Sequence, residues 1–593
     1  MEKIKEVVEK VVKRVFEVEI EAGVERTPEG IEADFATNVA MKLAKEVRRN
    51  PREIAEEIRK GVEEDGELEG AKIEVVGPGF LNFTLNDKFF IQEVEELLDD
   101  FDKKVKSEQY RGKVVVTEFS DPNPFKVLHV GHLYTSIVGE GMSRLIEFAG
   151  GEVHRTNFGG DVGLHVAKTI HALLACGRQF VSSDASRARP PLRGSRSPDL
   201  ARKLRYADEN KTVSPLVADI ELLAECYVRG TRLYEEDERA RGEIKELNKK
   251  IYQIAERGEG NEEGLSEEDK RLAEMYWQGR ALSYKYFEQF YERIGVKFEK
   301  FYPESSVVER GRETVLRELG NGVYERSEGA VVFSGEKYGL HTRVFINQEG
   351  IPTYETKDVG LLLTKNEDYH FDESVVITGN DIVDYMKVVL KSVEQYAPEL
   401  VRKTRHVTHG NVRLPGNEKM SSRKGNFIKA VDILDDVFER TKSEIIGLAA
   451  IKYAFLKYRV GGDIEFDAEE SVRTVGNSGV YLLYSAVRGK KIINSALRVE
   501  TPDILVGLNE FERELAKKFM EYRGVLREAV EGLAPNVVCK YLFELAQEFS
   551  RFYEHCRVVG DEREAERVKL VKLFVQVMEH GLFLLGITVP EEM

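Results

Sequence analysis

A chain of 593 residues with 42 % hydrophobic and 9 % aromatic content is long enough for about three to five domains with buried cores. Lys and Arg number 88 against 105 Asp and Glu, a net charge of −17, which excludes a uniformly basic nucleic-acid binder and confines phosphate contacts to local patches. There is no apolar run of about 18 residues to span a membrane, and four scattered cysteines (Cys176, Cys226, Cys539, Cys556) without C-x-x-C spacing exclude a disulfide framework and a cysteine-rich zinc site.

Those cysteines read as small buried hydrophobes. The N-terminus, MEKIKEVVEKVVKRVFEVEIEAG, is charged throughout and lacks the apolar centre of a signal peptide, which points to the cytoplasm. It reads as an amphipathic helix with Ile4, Val7, Val8, Val11 and Val12 on one face. Helical periodicity runs over 1–18 and 35–64. Residues 71–85, AKIEVVGPGFLNFTL, read as two strands broken at Gly77-Pro78-Gly79, and 88–104 as another helix. Residues 1–108 thus form an N-terminal α+β domain.

The texture changes at 112. GKVVVTEF is a β-branched run of the kind buried on both faces of a parallel sheet. A proline-rich turn, DPNPFK (121–126), leads into a helix over 129–151 with Leu133, Ile137, Leu145, Ile146 and Ala149 on one side. Strand, tight turn and helix open a Rossmann-type α/β fold. GAVVF (329–333), VVIT (375–378) and RHVTHGNVRL (405–414) are expected as further strands of that sheet, giving a catalytic domain over 109–455. Two insertions interrupt it. Residues 178–205, within a segment running to about 210, hold eight Arg or Lys against two Asp and read as a flexible surface loop or, alternatively, an RNA-contacting one. Residues 219–291 read as helical. From 456 to 593 the pattern is an all-α domain, with helices at 468–497, 506–530, 535–557 and 562–583.

Two stretches carry chemistry. The first is EFSDPNPFKVLHVGH (118–132). His129 and His132, at i and i+3, lie in the first turn of a helix, where unpaired N–H groups and the helix dipole favour anions. Imidazole N–H donors there suit a triphosphate and the charge that develops on its α-phosphate. Gly131 lets an adenosine approach the backbone, and Lys126 adds a cation. A metal pair is the other reading of H-x-x-H, but no third ligand follows nearby. The second stretch is PGNEKMSSRKGN (415–426), a glycine-flanked loop whose Lys419, Arg423 and Lys424 suit closure over a polyphosphate.

HVGH and KMSSRKGN, in this order and context, resemble the HIGH and KMSKS motifs of class I aminoacyl-tRNA synthetases. EFSDPNPFKVLHVGH, RTNFGGDVGLHVAK (155–168) and PTYETKDVGLLL (352–363) resemble the arginyl members of that class. So do GIEADFATNVAMKLAK (30–45) and PGFLNF (78–83) near the N-terminus. Toward the other end the resemblance continues in NSGVYLLYSAVR (477–488), YLFELAQEFSRFYEHCRV (541–558) and GLFLLGITVPEEM (581–593). The resemblance covers nearly the whole chain apart from 178–210. It implies ATP-dependent ligation of L-arginine to tRNA(Arg) through an arginyl-adenylate, with Mg²⁺ accompanying ATP and no structural zinc. It also implies a monomer without membrane association, and activation of arginine that waits for bound tRNA.

The resemblance also assigns residues. His129, His132, Lys126 and Lys419 would be catalytic. His129, Gly131, His132, Lys419, Met420, Ser421, Ser422 and Arg423 would bind ATP. Glu118 and Asn123 would hold the α-amino and carboxylate end of arginine. Asp358, beside Tyr354, would meet the guanidinium, whose planar fork of donors asks for a carboxylate. The i, i+4 spacing puts Tyr354 and Asp358 on one helical face. Tyr481, Tyr484, Arg488 and Met593 would surround the anticodon loop, making the C-terminal bundle anticodon-binding, and Phe80 and Asn82 would hold a base at the tRNA elbow. No metal ligand is assigned. The chain departs from the family pattern at Ser422, where Lys is common, leaving Arg423 or Lys424 to supply that charge. It departs again at Ile382, where a polar residue is common. A synthetase for another amino acid, a non-catalytic paralogue and a nucleotidyltransferase are the competing readings.

Overall fold

A computed structural model describes residues 1–28, 30–181, 220–413, 415, 428–496 and 507–593. The chain divides into two compact units: Met1–Gln109 with Lys452–Lys457 and Glu470–Met593, and Tyr110–Ile451 with Tyr458–Glu469.

In the first unit, Val24–Arg26 (β1), Phe35–Thr37 (β2), Lys72–Val76 (β3) and Phe80–Thr84 (β4) form an antiparallel sheet in the order β1-β2-β4-β3. Helix Glu2–Phe16 buries Ile4, Val7, Val8, Val11 and Val12, the face its periodicity predicts. The segment 35–64 begins with the short β2 and then forms two helices, Val39–Val47 and Pro51–Asp65, instead of one. Arg48, in the left-handed region at φ 52, ends the first. Asn50 caps the second through the Arg52 N–H, with Pro51 at its first position. Of the C-terminal helices Gly479–Ser495, Glu510–Gly532, Pro535–His555 and Glu564–Leu584, the α+β segment packs on Glu510–Gly532 and Glu564–Leu584. Buried Asp34 receives Arg513 Nη2 at 2.7 Å and Lys517 Nζ at 2.7 Å, both from helix Glu510–Gly532. Phe549 and Phe574 stack at 3.7 Å within the helical bundle.

The second unit is built on a five-stranded parallel sheet. Its strands are Val114–Glu118 (β5), Glu152–Gly159 (β6), Lys300–Pro303 (β7), Glu373–Gly379 and Thr404–His409. The run GAVVF does not join it. Glu325–Ser327 (β8), Ala330–Phe333 (β9) and Arg343–Ile346 (β10) make a separate antiparallel sheet in the order β10-β9-β8. A short apolar run is equally at home in either kind of sheet, so periodicity alone does not assign its partner. With Glu373–Gly379 as β11 and Thr404–His409 as β12, the parallel order is β12-β11-β5-β6-β7. The chain leaves central β5 toward β6 and β7 on one side and returns to β11 and β12 on the other. The crevice between β5 and β11, beyond their carboxyl ends, is the topological switch point where such sheets bind ligands. Helices Ile220–Glu236, Glu238–Arg257 and Glu267–Ile294 form the helical insertion. Most of the basic 178–205 segment lies outside the described residues. All four cysteines are buried and free.

Candidate active site

Glu118 is the last residue of β5, and the turn behind it is strained. Ser120, Asp121 and Phe125 all have positive φ (75°, 44° and 65°), which costs about 1–2 kcal/mol each for a residue with a side chain. Each is held by a hydrogen bond with a distant residue. Ser120 Oγ hydrogen bonds Tyr291 at 2.8 Å, Asp121 Oδ1 accepts from the Phe158 N–H at 2.9 Å, and Phe125 donates its N–H to Ser283 Oγ at 2.9 Å. The strained turn carries Asn123, Lys126 and His129 to one cleft of about 140 Å³, lined by Asn123, Lys126, Val127, His129, His132, Ala224 and Tyr227. Lys126 Nζ stands 4.5 Å over the Tyr227 ring.

The HVGH motif is also a helix cap. His129 is the N-cap of helix Val130–Phe148; its Nδ1 accepts from the Gly131 N–H at 3.1 Å, and His132 Nδ1 accepts from the His129 N–H at 3.1 Å. The rings stack at 3.8 Å. An imidazole that accepts at Nδ1 carries its proton on Nε2, so each ring keeps an N–H donor on its far edge. Burial, with Lys126 nearby, lowers His129 to about 4, and burial with His129 and Lys126 beside it holds His132 well below the ordinary histidine range. Both rings are therefore neutral donors near pH 7. A Cβ on Gly131 would lie 2.9 Å from His129 Cε1, so this glycine also protects the cap.

Of the second motif, Lys419, Met420, Ser421, Ser422, Arg423 and Lys424 lie outside the described residues. The chain re-enters beside the first motif: Val130 donates to Ile428 O at 3.0 Å, and Ala430 to Leu128 O at 2.9 Å. The residues that follow the second motif, Ile428 and Ala430, are thus hydrogen-bonded to Val130 and Leu128 of the first, far away in sequence.

At the switch point the structure gathers more carboxylates than the sequence singles out. Glu118 is ion-paired with buried Lys365, which also reaches Ser374 Oγ at 3.3 Å. Glu304, at the start of helix Glu304–Gly320, pairs with buried Lys357 at 2.6 Å. Asp358 receives the Tyr385 hydroxyl; burial, aided by Glu118, Glu304 and Glu355, pushes its carboxyl up to about 7. Burial beside Glu118 also holds Asp121 well above the usual carboxylate range. Tyr354 opens helix Tyr354–Tyr369 one turn before Asp358, is 56 % exposed, and has Lys357 Nζ 4.8 Å from its ring. Asn123 Oδ1 accepts from the Gly160 N–H at 3.1 Å, and a Cβ on Gly160 would run into it and come 3.2 Å from Glu304. Lys357, Lys365, Glu304 and Tyr385 escaped the sequence reading. The signal available was spacing: Lys357 and Lys365, eight residues apart, bracket the run DVGLLLT, and residues at that spacing fall on one side of a helix.

In the other unit, Tyr484, Arg488 and Met593 line one groove of about 880 Å³ together with Tyr553, a residue the sequence reading missed. Arg488 Nη2 donates to Tyr484 Oη at 2.8 Å, and its guanidinium lies 4.6 Å over Tyr484 and 5.1 Å over Tyr553. Tyr481 sits one turn earlier, does not line the groove, and hydrogen bonds Ser550 Oγ at 3.1 Å. Phe80, 39 % exposed, and Asn82 alternate on β4 with buried Leu81 and Phe83, so both face outward.

Three family models match the chain: the arginyl tRNA synthetase N-terminal domain over 2–85, the class I (R) tRNA synthetase catalytic domain over 93–185 and 200–458, and the DALR anticodon binding domain over 482–593. Among curated proteins, an arginine–tRNA ligase of Clostridium perfringens is 27 % identical over 546 residues, 88 % of either chain, and that of Borrelia turicatae 26 % identical over 550 residues, 87 % of this chain and 86 % of the other. Among solved structures, the Thermus thermophilus arginyl-tRNA synthetase has a TM-score of 0.73 at 22 % identity and full coverage of both chains, and shares the fold. The Plasmodium falciparum arginyl-tRNA synthetase has a TM-score of 0.73 at 19 % identity, covering 100 % of this chain and 99 % of the other. With the class I (R) catalytic-domain model matching more than half of its length, and the N-terminal and anticodon-binding models flanking it, the chain belongs to the arginyl family of class I tRNA synthetases.

Proposed function

We propose that the protein joins L-arginine to tRNA(Arg) at the expense of ATP. The arginine carboxylate attacks the α-phosphorus of ATP, releasing pyrophosphate and forming arginyl-adenylate. The terminal ribose hydroxyl of the tRNA then attacks the arginyl carbonyl and AMP leaves. The observation that carries this reading is the pairing of two features at one switch point: neutral Nε2–H donors of His129 and His132 at a helix N-terminus, and the carboxyl of Asp358 among Glu118 and Glu304. The first suits a triphosphate and the second a guanidinium.

In this mechanism His129, His132 and Lys126 meet the phosphates, and Lys419, with Met420, Ser421, Ser422 and Arg423, closes over them. Asp358 with Tyr354 takes the guanidinium; Asn123 and Glu118 hold the amino-acid end, Glu118 in company with Lys365. Among the described residues no three His, Cys, Asp or Glu side chains are grouped to hold a metal. Mg²⁺ enters with the nucleotide, neutralising its phosphates. Tyr484, Arg488, Tyr553 and Met593 stack on and hold anticodon bases, Tyr481 buttresses that helix, and Phe80 with Asn82 meets the tRNA elbow. The protein works as a cytoplasmic monomer, with domains at 1–108, 109–455 and 456–593, and activates arginine only with tRNA bound. Aminoacylation with Mg-ATP, total tRNA and each labelled amino acid in turn tests the reading: charging with arginine alone supports it, and charging with lysine or with nothing refutes it. Pyrophosphate exchange without tRNA would refute the tRNA requirement.

A further inference from the structure

Ile382 stands where the resemblance leads one to expect a polar group, and the structure supplies a hydroxyl one turn later. Tyr385, on helix Val383–Glu394, reaches across to helix Tyr354–Tyr369 and donates to Oδ2 of Asp358. This is the side-chain hydrogen bond that Asp358 makes among the described residues. The tyrosine is itself held. Its ring belongs to the apolar cluster formed by Tyr324, Phe345, Val359 and Met386, and the Arg343 guanidinium lies 5.6 Å over its face while pairing with Glu355 at 3.6 Å. A fixed donor on one carboxylate oxygen restricts rotation about the Asp358 side chain and leaves the second oxygen for the ligand.

We infer that Tyr385 is a positioning residue for arginine recognition: its hydroxyl orients Asp358 and favours the ionised carboxylate that a guanidinium requires. The inference rests on the function proposed above. Its electrostatic half follows from the groups around Asp358. Burial and the carboxylates of Glu118 on β5, Glu304 on the neighbouring helix and Glu355 on its own helix all oppose ionisation. Glu118 and Glu304 are each paired with a lysine, Lys365 and Lys357, and Glu355 with Arg343. The Tyr385 hydrogen bond works in the other direction and favours the charge. Removing it takes away both the orientation and part of the charge.

The test is steady-state aminoacylation by the full-length enzyme from about pH 6 to 8.5. Tyr385→Phe raises KM for arginine about tenfold to a hundredfold, the range for losing a hydrogen bond to a charged group, while kcat at saturating arginine and KM for ATP stay put. The pH below which arginine KM climbs moves upward. Replacing Tyr385 by 3-fluorotyrosine, nearly isosteric with a stronger donor, moves that limb downward, and this second variant keeps the test open if the Phe variant is unstable. A wild-type enzyme that does not charge arginine overturns the proposed function and this inference with it. A wild type that does, together with an unmoved pH limb or a Tyr385→Phe loss confined to kcat and ATP, overturns this inference alone.

Discussion

Asp358→Asn should make the catalytic unit more stable and the enzyme unable to recognise arginine. The carboxyl ionises near 7 in the fold against an ordinary 3.8. That is a little over three powers of ten in proton affinity, and at about 1.36 kcal/mol each it sets an upper bound of about 4 kcal/mol; water entering a partly open pocket brings it to roughly 2–4 kcal/mol. Burial raises the folded pKa above the unfolded one, so the native state holds more protons between about pH 4 and 7. Wild-type stability is therefore lost as pH rises through that window, and the Asn variant does not share the loss. Asn still accepts the Tyr385 hydroxyl, so the packing is preserved. In a unit of this size 1 kcal/mol shifts the midpoint by about 1–2 °C, so thermal unfolding without arginine should show Asp358→Asn about 2–8 °C above wild type at pH 8 and level with it near pH 4. Arginine should stabilise only the wild type. A variant equal to or below wild type at pH 8, or a difference that does not change with pH, would refute the reasoning.

Three further outcomes follow from the same geometry. His132→Ala and Lys419→Ala should each slow adenylate formation at least about 10²-fold in a tRNA-supplemented pyrophosphate exchange assay, because each removes charge stabilisation at the reacting phosphate; retained activity would dismiss that residue. Gly160→Ala should displace Asn123 and lower kcat/KM for arginine at least about tenfold with ATP binding intact, since its Cβ would press on Asn123 and come 3.2 Å from Glu304. Tyr553→Ala should raise KM for tRNA about tenfold or more through loss of base stacking and leave the arginine and ATP constants alone, which titration of tRNA in the charging assay reads directly.

The motifs made much of this site legible, but packing decided its details. EFSDPNPFKVLHVGH announces a strand, a turn and a helix, and β5, the turn and helix Val130–Phe148 follow in that order. What the letters do not show is that Ser120, Asp121 and Phe125 take positive φ, because those angles are imposed by Tyr291, Phe158 and Ser283, all distant in sequence. Tyr354 and Asp358 are legible as a pair at helical spacing. Tyr385 is not, because its relevance arises only where two helices meet. Likewise the placement of Ala330–Phe333 in an antiparallel sheet depends on the hairpin it forms with Glu325–Ser327 and Arg343–Ile346, and four apolar letters say nothing about that partner. Tyr553 joins Tyr484 and Arg488 only because helices Gly479–Ser495 and Pro535–His555 lie side by side.

On the proposed assignment of Asp358 to the guanidinium, the charge balance of the pocket accounts for how a site so rich in carboxylates selects one cation. Two of the acids, Glu118 and Glu304, are each neutralised by a lysine that is almost wholly buried. A lysine exposed to less than a twentieth of its surface cannot leave its partner without stranding a buried charge, so these pairs act as fixed parts of the wall. Burial beside Glu118 pushes the Asp121 carboxyl well above the usual carboxylate range, so it resists ionisation. Asp358 is left as the carboxyl poised near neutrality, able to ionise when a guanidinium arrives and to stay largely protonated when none is present below about pH 7. The pocket thereby carries close to one unmatched negative charge, on a carboxylate whose orientation is set by Tyr385. A single ammonium would satisfy that charge but not fill the planar fork, and the acceptors it left unpaired in a buried site would disfavour lysine by a large factor, up to about 10⁴-fold in comparable sites.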